Sequence, residues 1–186
     1  GAHWDTEMDP NVVNNGTLPW SVAQALVDAP VVSVVMDPAD LFGPNGIYQN
    51  ATARGDDWER GTSVEFFYPA EYAGRRVGQG FAVNCGVQLN GNFSRLTHQP
   101  KHSLRLVFKD RWGPPKLQFP LFADYDVDEF DTLLLACGHN QGWSTGIENS
   151  QFLRNRFTWD MEAIDGFRPK VHSVSVHVYL NGMYWG

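Results

Sequence analysis

The stretch from Gly80 to Asp110, GFAVNCGVQLNGNFSRLTHQPKHSLRLVFKD, constrains the fold more than any other part of the chain. Phe81, Val83, Cys85, Val87 and Leu89 alternate with Ala82, Asn84, Gly86 and Gln88. On the far side, His102, Leu104, Leu106 and Phe108 alternate with Ser103, Arg105, Val107 and Lys109. A side-chain period of two is that of a strand with one buried face, so two such runs in tandem predict a pair of strands. Their connector, Asn90 to Lys101, is longer than a tight hairpin turn and carries Arg95, His98 and Lys101. A glycine-bearing basic loop can turn backbone N–H groups and cations toward an anion such as phosphate. Asn90-Gly91 is also a plain turn signal, which leaves a basic hairpin loop without a ligand as the competing reading.

Further strand patterns lie at Thr62–Tyr68, stopped by Pro69, at Thr132–Cys137, and at Val171–Leu180, where Val174, Val176, Val178 and Leu180 share a face. Val31–Met36 is a short β-branched run of the kind that becomes a buried strand. Asp40–Gly61 is rich in Gly, Asn and Asp and predicts a long ordered surface loop anchored by Phe42, Ile47, Tyr48 and Trp58. Ser21 is placed to cap a short helix running through Val27.

One longer helix is expected over Gln151–Asp165, capped by Ser150, because Leu153, Phe157, Met161 and Ile164 fall at offsets of four, four and three. That stripe predicts a helix burying Leu153 and Phe157 against the sheet. The fold class is therefore α+β, a mainly antiparallel sheet packed by one main helix. Asn181-Gly182 is a strong hairpin signal, followed only by Met183, Tyr184 and Trp185. So short a return strand suggests a piece of a longer protein. It also predicts that Val171–Leu180 and Met183–Trp185 leave an unpaired edge through which two copies associate.

A chain of 186 residues with 42 % hydrophobic content suits one compact domain, here with residues 1–61 as an N-terminal extension. Its 14 basic and 21 acidic residues give a formal charge of −7, which argues against a nucleic-acid partner. No window has the length of a membrane span, and the first residues lack the pattern of a signal peptide. Cys85 and Cys137 sit inside apolar strand patterns, as small buried hydrophobes do. Asp124, Asp126 and Asp128 alternate like calcium ligands, but Glu129 stands at the glycine place of an EF-hand loop and Leu135 at the glutamate place. No structural metal is expected.

The run Gly86-Val-Gln-Leu-Asn-Gly-Asn-Phe-Ser-Arg95 followed by Pro100-Lys-His-Ser-Leu-Arg-Leu106 resembles the central signature of the spore-coat-protein-H (CotH) kinase-like family. His3–Pro10, Met36–Tyr48, Asp57-Trp-Glu-Arg60, Phe119–Phe122, Asp128–Leu133 and Tyr179–Gly186 are similar to segments of large exported bacterial members, so the resemblance covers nearly the whole chain. One departure is Asn92, where the family pattern tends to have a second glycine.

The resemblance implies the smaller, nucleotide-clasping lobe of an atypical protein kinase, acting with ATP and Mg2+ at the surface of or outside the cell. Its partners would be the larger C-terminal lobe of the parent chain and a protein phosphoacceptor. A kinase needs a loop over the phosphates, a cation on a neighbouring strand and a helix acid that orients the cation. Asn90, Gly91, Asn92, Ser94 and Arg95 would form the loop, Lys101 or Arg105 the cation, and Asp160 or Glu162 the acid. The chain offers no magnesium pair or catalytic base, so it is expected to be inactive alone. A different class, a non-catalytic carbohydrate- or surface-binding module, draws on the 13 % aromatic content with seven tryptophans and on the Gly/Asn-rich loops.

Overall fold

In a computed structural model, residues 7–8, 10–17, 19–70, 79–97, 99, 101–123, 125–139, 151, 153–166 and 171–186 are described. His98, Asp124 and Ser150 lie outside them, as does most of His3–Pro10. In chain order the elements are α1 (Pro10–Val13), α2 (Val22–Ala25), β1 (Val31–Val35), α3 (Pro38–Phe42), β2 (Arg60–Phe67), β3 (Gly80–Asn90), β4 (Ser103–Val107), β5 (Leu117–Gln118), β6 (Glu129–Phe130), β7 (Thr132–Leu135), α4 (Arg154–Ile164), β8 (His177–Leu180) and β9 (Met183–Tyr184). Two 3-10 turns cover Asp56–Trp58 and Phe93–Arg95. The fold is α+β, with a mainly antiparallel seven-stranded sheet ordered β7-β4-β3-β2-β1-β8-β9, and α4 is its main helix.

The chain divides into two compact units. The first holds Gly1–Met36, Ser63–Val83 and Ser175–Gly186. Within it β1 pairs antiparallel with β2, from Val31↔Phe67 to Val35↔Ser63, and parallel with β8, from Val31↔His177 to Val34↔Leu180. Val32, Val34, Val64, Phe66 and Leu180 form its buried centre. Ser21 and Gln24 close a capping box on α2, and the His177 Nε2–H group donates to the Ala25 carbonyl at 2.8 Å, which ties that helix to β8.

The second unit holds Asp37–Thr62 and Asn84–Val174. Here the predicted hairpin forms in the register its alternation demands, with Val87 opposite Leu106 and Leu89 opposite Leu104. Those four side chains are buried together with Cys85 and Phe108. Burial pushes the Cys85 thiol up to about 12. β7 continues the ladder on the far side of β4, from Leu104↔Leu135 to Val107↔Thr132. Asp37 caps α3, which has Pro38 at its first position and buries Leu41.

Two expectations are corrected. The Gln151–Asp165 pattern does make a helix, but its apolar stripe does not reach a core: Leu153 is 72 %, Phe157 67 %, Met161 42 % and Ile164 77 % exposed. The half-buried side is instead that of Arg156, Trp159, Asp160 and Ala163. The second correction concerns Val171–Leu180, of which only His177–Leu180 is a strand. That strand is paired on both sides, with β1 and with β9, so the edge at this end of the sheet is β9 and not β8. The return strand reaches Trp185 as expected: its N–H donates to Val178 O at 2.7 Å, extending the β8–β9 ladder past Tyr184.

Candidate functional site

The β3–β4 loop is built by two local devices. Gly91 adopts φ 115°, a left-handed conformation that favours glycine, and turns the chain out of β3. The 3-10 turn Phe93–Arg95 follows, with Arg95 N–H donating to Asn92 O at 3.1 Å and Leu96 N–H to Phe93 O. Asn92 has φ −124°, on the side open to any residue, so its backbone does not require the second glycine of the family pattern.

The loop is braced from behind by the segment Ala51–Arg54. Arg95 is buried and donates from Nε to Ala51 O at 2.7 Å and from Nη2 to Ala53 O. Burial, and then the neighbouring Arg54 charge, hold the Arg95 pKa below its ordinary value. Arg54 Nη2 in turn donates to Asn92 Oδ1 at 2.9 Å. His102, also buried, donates from Nδ1 to Ser94 O at 2.7 Å and packs its ring 4.9 Å from that of Tyr48. Arg95 and Asn92 therefore hold the loop's shape, and their side chains are engaged with the protein itself.

Lys101 differs from Arg95. It is half-buried, and desolvation lowers its pKa, with only the nearby Cys137 acting in the opposite sense. Its carbonyl accepts from Cys137 Sγ at 3.7 Å, and Ser103 Oγ donates to the same sulfur at 3.4 Å. Among the described residues Lys101 forms no ion pair. Arg105 stands exposed in mid-β4, opposite Gln88 on one side and Leu134 on the other, and likewise forms no ion pair among the described residues.

The two candidate acids sit on α4. Asp160 Oδ2 accepts from Arg156 Nε at 2.8 Å, one turn earlier, while its Oδ1 is buried without a hydrogen-bond partner among the described residues. Glu162 is half-buried on the same helix. The structure thus joins Asn90, Gly91, Asn92, Ser94 and Arg95 into one loop beside Lys101, and it does not join Lys101 or Arg105 to Asp160 by a direct bond. Among the described residues no three His, Cys, Asp or Glu side chains come together as metal ligands. No helix among the described residues is long and apolar enough to cross a membrane. Two surface clefts, of about 460 and 340 Å3, lie along Val12–Gln24 and beside Glu65 to Tyr68 and Gln79 to Ala82, and neither includes the loop.

One charged centre escaped the sequence reading. Glu59, 2 % exposed, accepts from Trp112 Nε1 and from Lys109 Nζ, and Lys109 also lies 3.5 Å from Asp56. Asp56, Glu59 and Trp112 lie outside the periodic runs, Lys109 closes the alternation that begins at His102, and only the Asp57-Trp-Glu-Arg60 segment of the family resemblance marked the carboxylate. With both oxygens engaged, Glu59 serves as a fastening of the hairpin. No protein-family model, curated protein or solved structure matches this chain.

Proposed function

We propose that this chain forms the nucleotide-clasping part of a CotH-like atypical protein kinase, with Lys101 as the phosphate-facing cation and Asp160 as the acid that orients it. The observation that carries the reading is unmet electrostatic capacity. Among the described residues Lys101 is a partly desolvated amine without an acidic partner, and Asp160 keeps a buried carboxylate oxygen without a donor. Asp160 has one oxygen on Arg156 and the other left for a second donor, and kinase chemistry pairs a lysine with a helix acid. Arg95 supports the reading indirectly. Its guanidinium is tied to Ala51 and Ala53, which leaves Lys101, with Arg105 beyond it, as the cation of the loop.

In this reading Asn90, Gly91 and Ser94 frame the phosphates, Lys101 neutralises them, and Asp160 holds the lysine in place. ATP supplies the transferable phosphoryl group when bound. The magnesium carboxylates and the base for a protein hydroxyl come from the larger lobe, so the chain alone binds nucleotide weakly and transfers nothing. Location outside the cell or at its surface belongs to the same proposal.

Calorimetry with ATP, with and without magnesium, tests it on the wild type and on Lys101→Ala, Arg105→Ala and Asp160→Asn. The expected result is weak binding lost in Lys101→Ala and reduced in Asp160→Asn. Tight binding that none of the substitutions changes removes these residues from the site. A second reading, glycan binding, is favoured by Tyr125, which is 42 % exposed and stacked on His172 at 4.0 Å. Retention on a glycan column without any ATP binding would select it.

A further inference from the structure

The apolar stripe of α4 has no counterpart in the proposed chemistry. Leu153, Phe157 and Ile164 are each about two-thirds exposed or more and Met161 is 42 % exposed, an arrangement that costs solubility unless something covers it. The charges of the helix name the cover. Arg154 and Arg156 occupy its first half, and Asp160, Glu162 and Asp165 its second. Arg154 and Asp165 are both exposed, and the eleven positions that separate them are about three turns, so both stand on the same shoulder of the stripe, one at each end.

We infer that α4 is a self-association surface, on which two copies of this chain pair antiparallel about a two-fold axis. In an antiparallel helix pair like shoulders face each other, so Leu153 lies across from Ile164 of the second copy and Phe157 across from Met161. Arg154 then meets Asp165 of the second copy at both ends of the contact. On the other shoulder Arg156 and Asp160 repeat the same order of charge, already bonded to each other at 2.8 Å. A parallel pair would set like charges at like heights and forgo these end pairs. The helix runs for only 11 residues, about 16 Å, so the contact falls well short of the roughly 800 Å2 per partner of stable complexes. The association is weak and concentration-dependent.

Sedimentation equilibrium over a wide concentration series reads it directly. The mass of the wild type is expected to climb from 20.9 kDa toward that of two chains at the highest concentrations. Phe157→Glu, an exposed position whose change spares the core, stays monomeric with an unchanged circular dichroism spectrum. Arg154→Glu and Asp165→Arg each weaken self-association several-fold, and an equimolar mixture of the two restores it, because both end pairs are then oppositely charged again. A wild type that is monomeric throughout overturns the inference and leaves the stripe to another occupant, such as a larger lobe. Self-association that Phe157→Glu does not reduce, or a mixture that fails to recover, overturns it equally.

Discussion

Trp112 donates its indole N–H to Oε1 of Glu59, a carboxylate that is 2 % exposed and whose second oxygen lies 3.0 Å from Lys109 Nζ. The contact fastens the loop after β4 to the residue before β2. Two glycines make room for the ring. A Cβ on Gly86 would stand 2.6 Å from Trp112 Cδ1 and 2.8 Å from Glu59 Oε1, and one on Gly61 would stand 3.0 Å from the Trp112 ring. Arg111 covers the indole from outside, 4.5 Å above its centroid.

Removing this carboxylate leaves the indole N–H without an acceptor and strips Lys109 of its nearest anion. Because Lys109 keeps access to water, the loss in Glu59→Ala is expected at about 2–4 kcal/mol, somewhat below that of a fully buried pair. Glu59→Gln, which retains one acceptor, should lose about half as much. Urea denaturation measures both. A loss below about 1 kcal/mol in Glu59→Ala would show that the fastening is dispensable.

Lys101 and Lys109 tilt alkaline stability in opposite directions. Burial lowers the Lys101 pKa, so the native chain sheds that proton before the unfolded chain does. Stability therefore gains from Lys101 as pH rises toward the ordinary lysine value of about 10.4. The hydrogen bond to Glu59 raises the Lys109 pKa, against an opposing desolvation and with the Glu59 and Asp56 charges adding to the rise. Its contribution is complete below the ordinary lysine value and is lost as pH climbs through the raised one. Denaturation midpoints followed from neutral pH upward should lose the rising part in Lys101→Met and the falling part in Lys109→Met. Identical profiles for the two variants would contradict the assigned directions.

Which residues share a face was legible in the sequence, and which face finds a neighbour was not. Val87 and Leu89 had to oppose apolar residues of the next strand, and they face Leu106 and Leu104. The period of α4 was equally clear, yet the chain uses the side of Arg156, Trp159 and Asp160, because periodicity carries no information about tertiary direction. The alternation of Val171–Leu180 overstated its strand for a different reason. Its partner β1 begins at Val31, and Pro30, which lacks an N–H, can only accept, taking the His177 N–H at 2.9 Å. In the candidate site, Lys101 and Arg95 look alike as cations of one loop. Only the structure separates them, since the Ala51 and Ala53 carbonyls that engage Arg95 lie more than forty residues away in sequence.

That separation makes a prediction. Arg95→Lys loses the forked donor pair while keeping the charge, and should destabilise the protein by about 1–3 kcal/mol. Nucleotide affinity, measured where the variant is fully folded, should stay close to that of the wild type, in contrast to Lys101→Ala. If Arg95→Lys instead abolishes ATP binding without lowering the thermal midpoint, Arg95 is a ligand residue and its role has been misassigned.

The turn Asn181-Gly182 offers a test of how the last hairpin is held. Both residues are left-handed, at φ 50° and φ 82°, the pairing that a two-residue turn between right-twisted strands requires. Asn181 does more than turn the chain. Its Oδ1 accepts from Met36 N–H and its own N–H donates to Val34 O, both at 2.9 Å, so it stitches the hairpin to the end of β1. At Gly182 nothing lies within 4 Å of an added Cβ, so Gly182→Ala meets conformational strain alone, about 1 kcal/mol. Asn181→Ala adds to a similar strain the loss of the acceptor for Met36 N–H, and is expected to cost about 2–3 kcal/mol. Asn181→Gly separates the two effects, since it relieves the strain and still lacks the acceptor. Thermal midpoints should therefore fall in the order Gly182→Ala least and Asn181→Ala most. A Gly182→Ala variant as damaged as Asn181→Ala would mean that the turn's backbone, and not the bond to Met36, holds this end of the sheet.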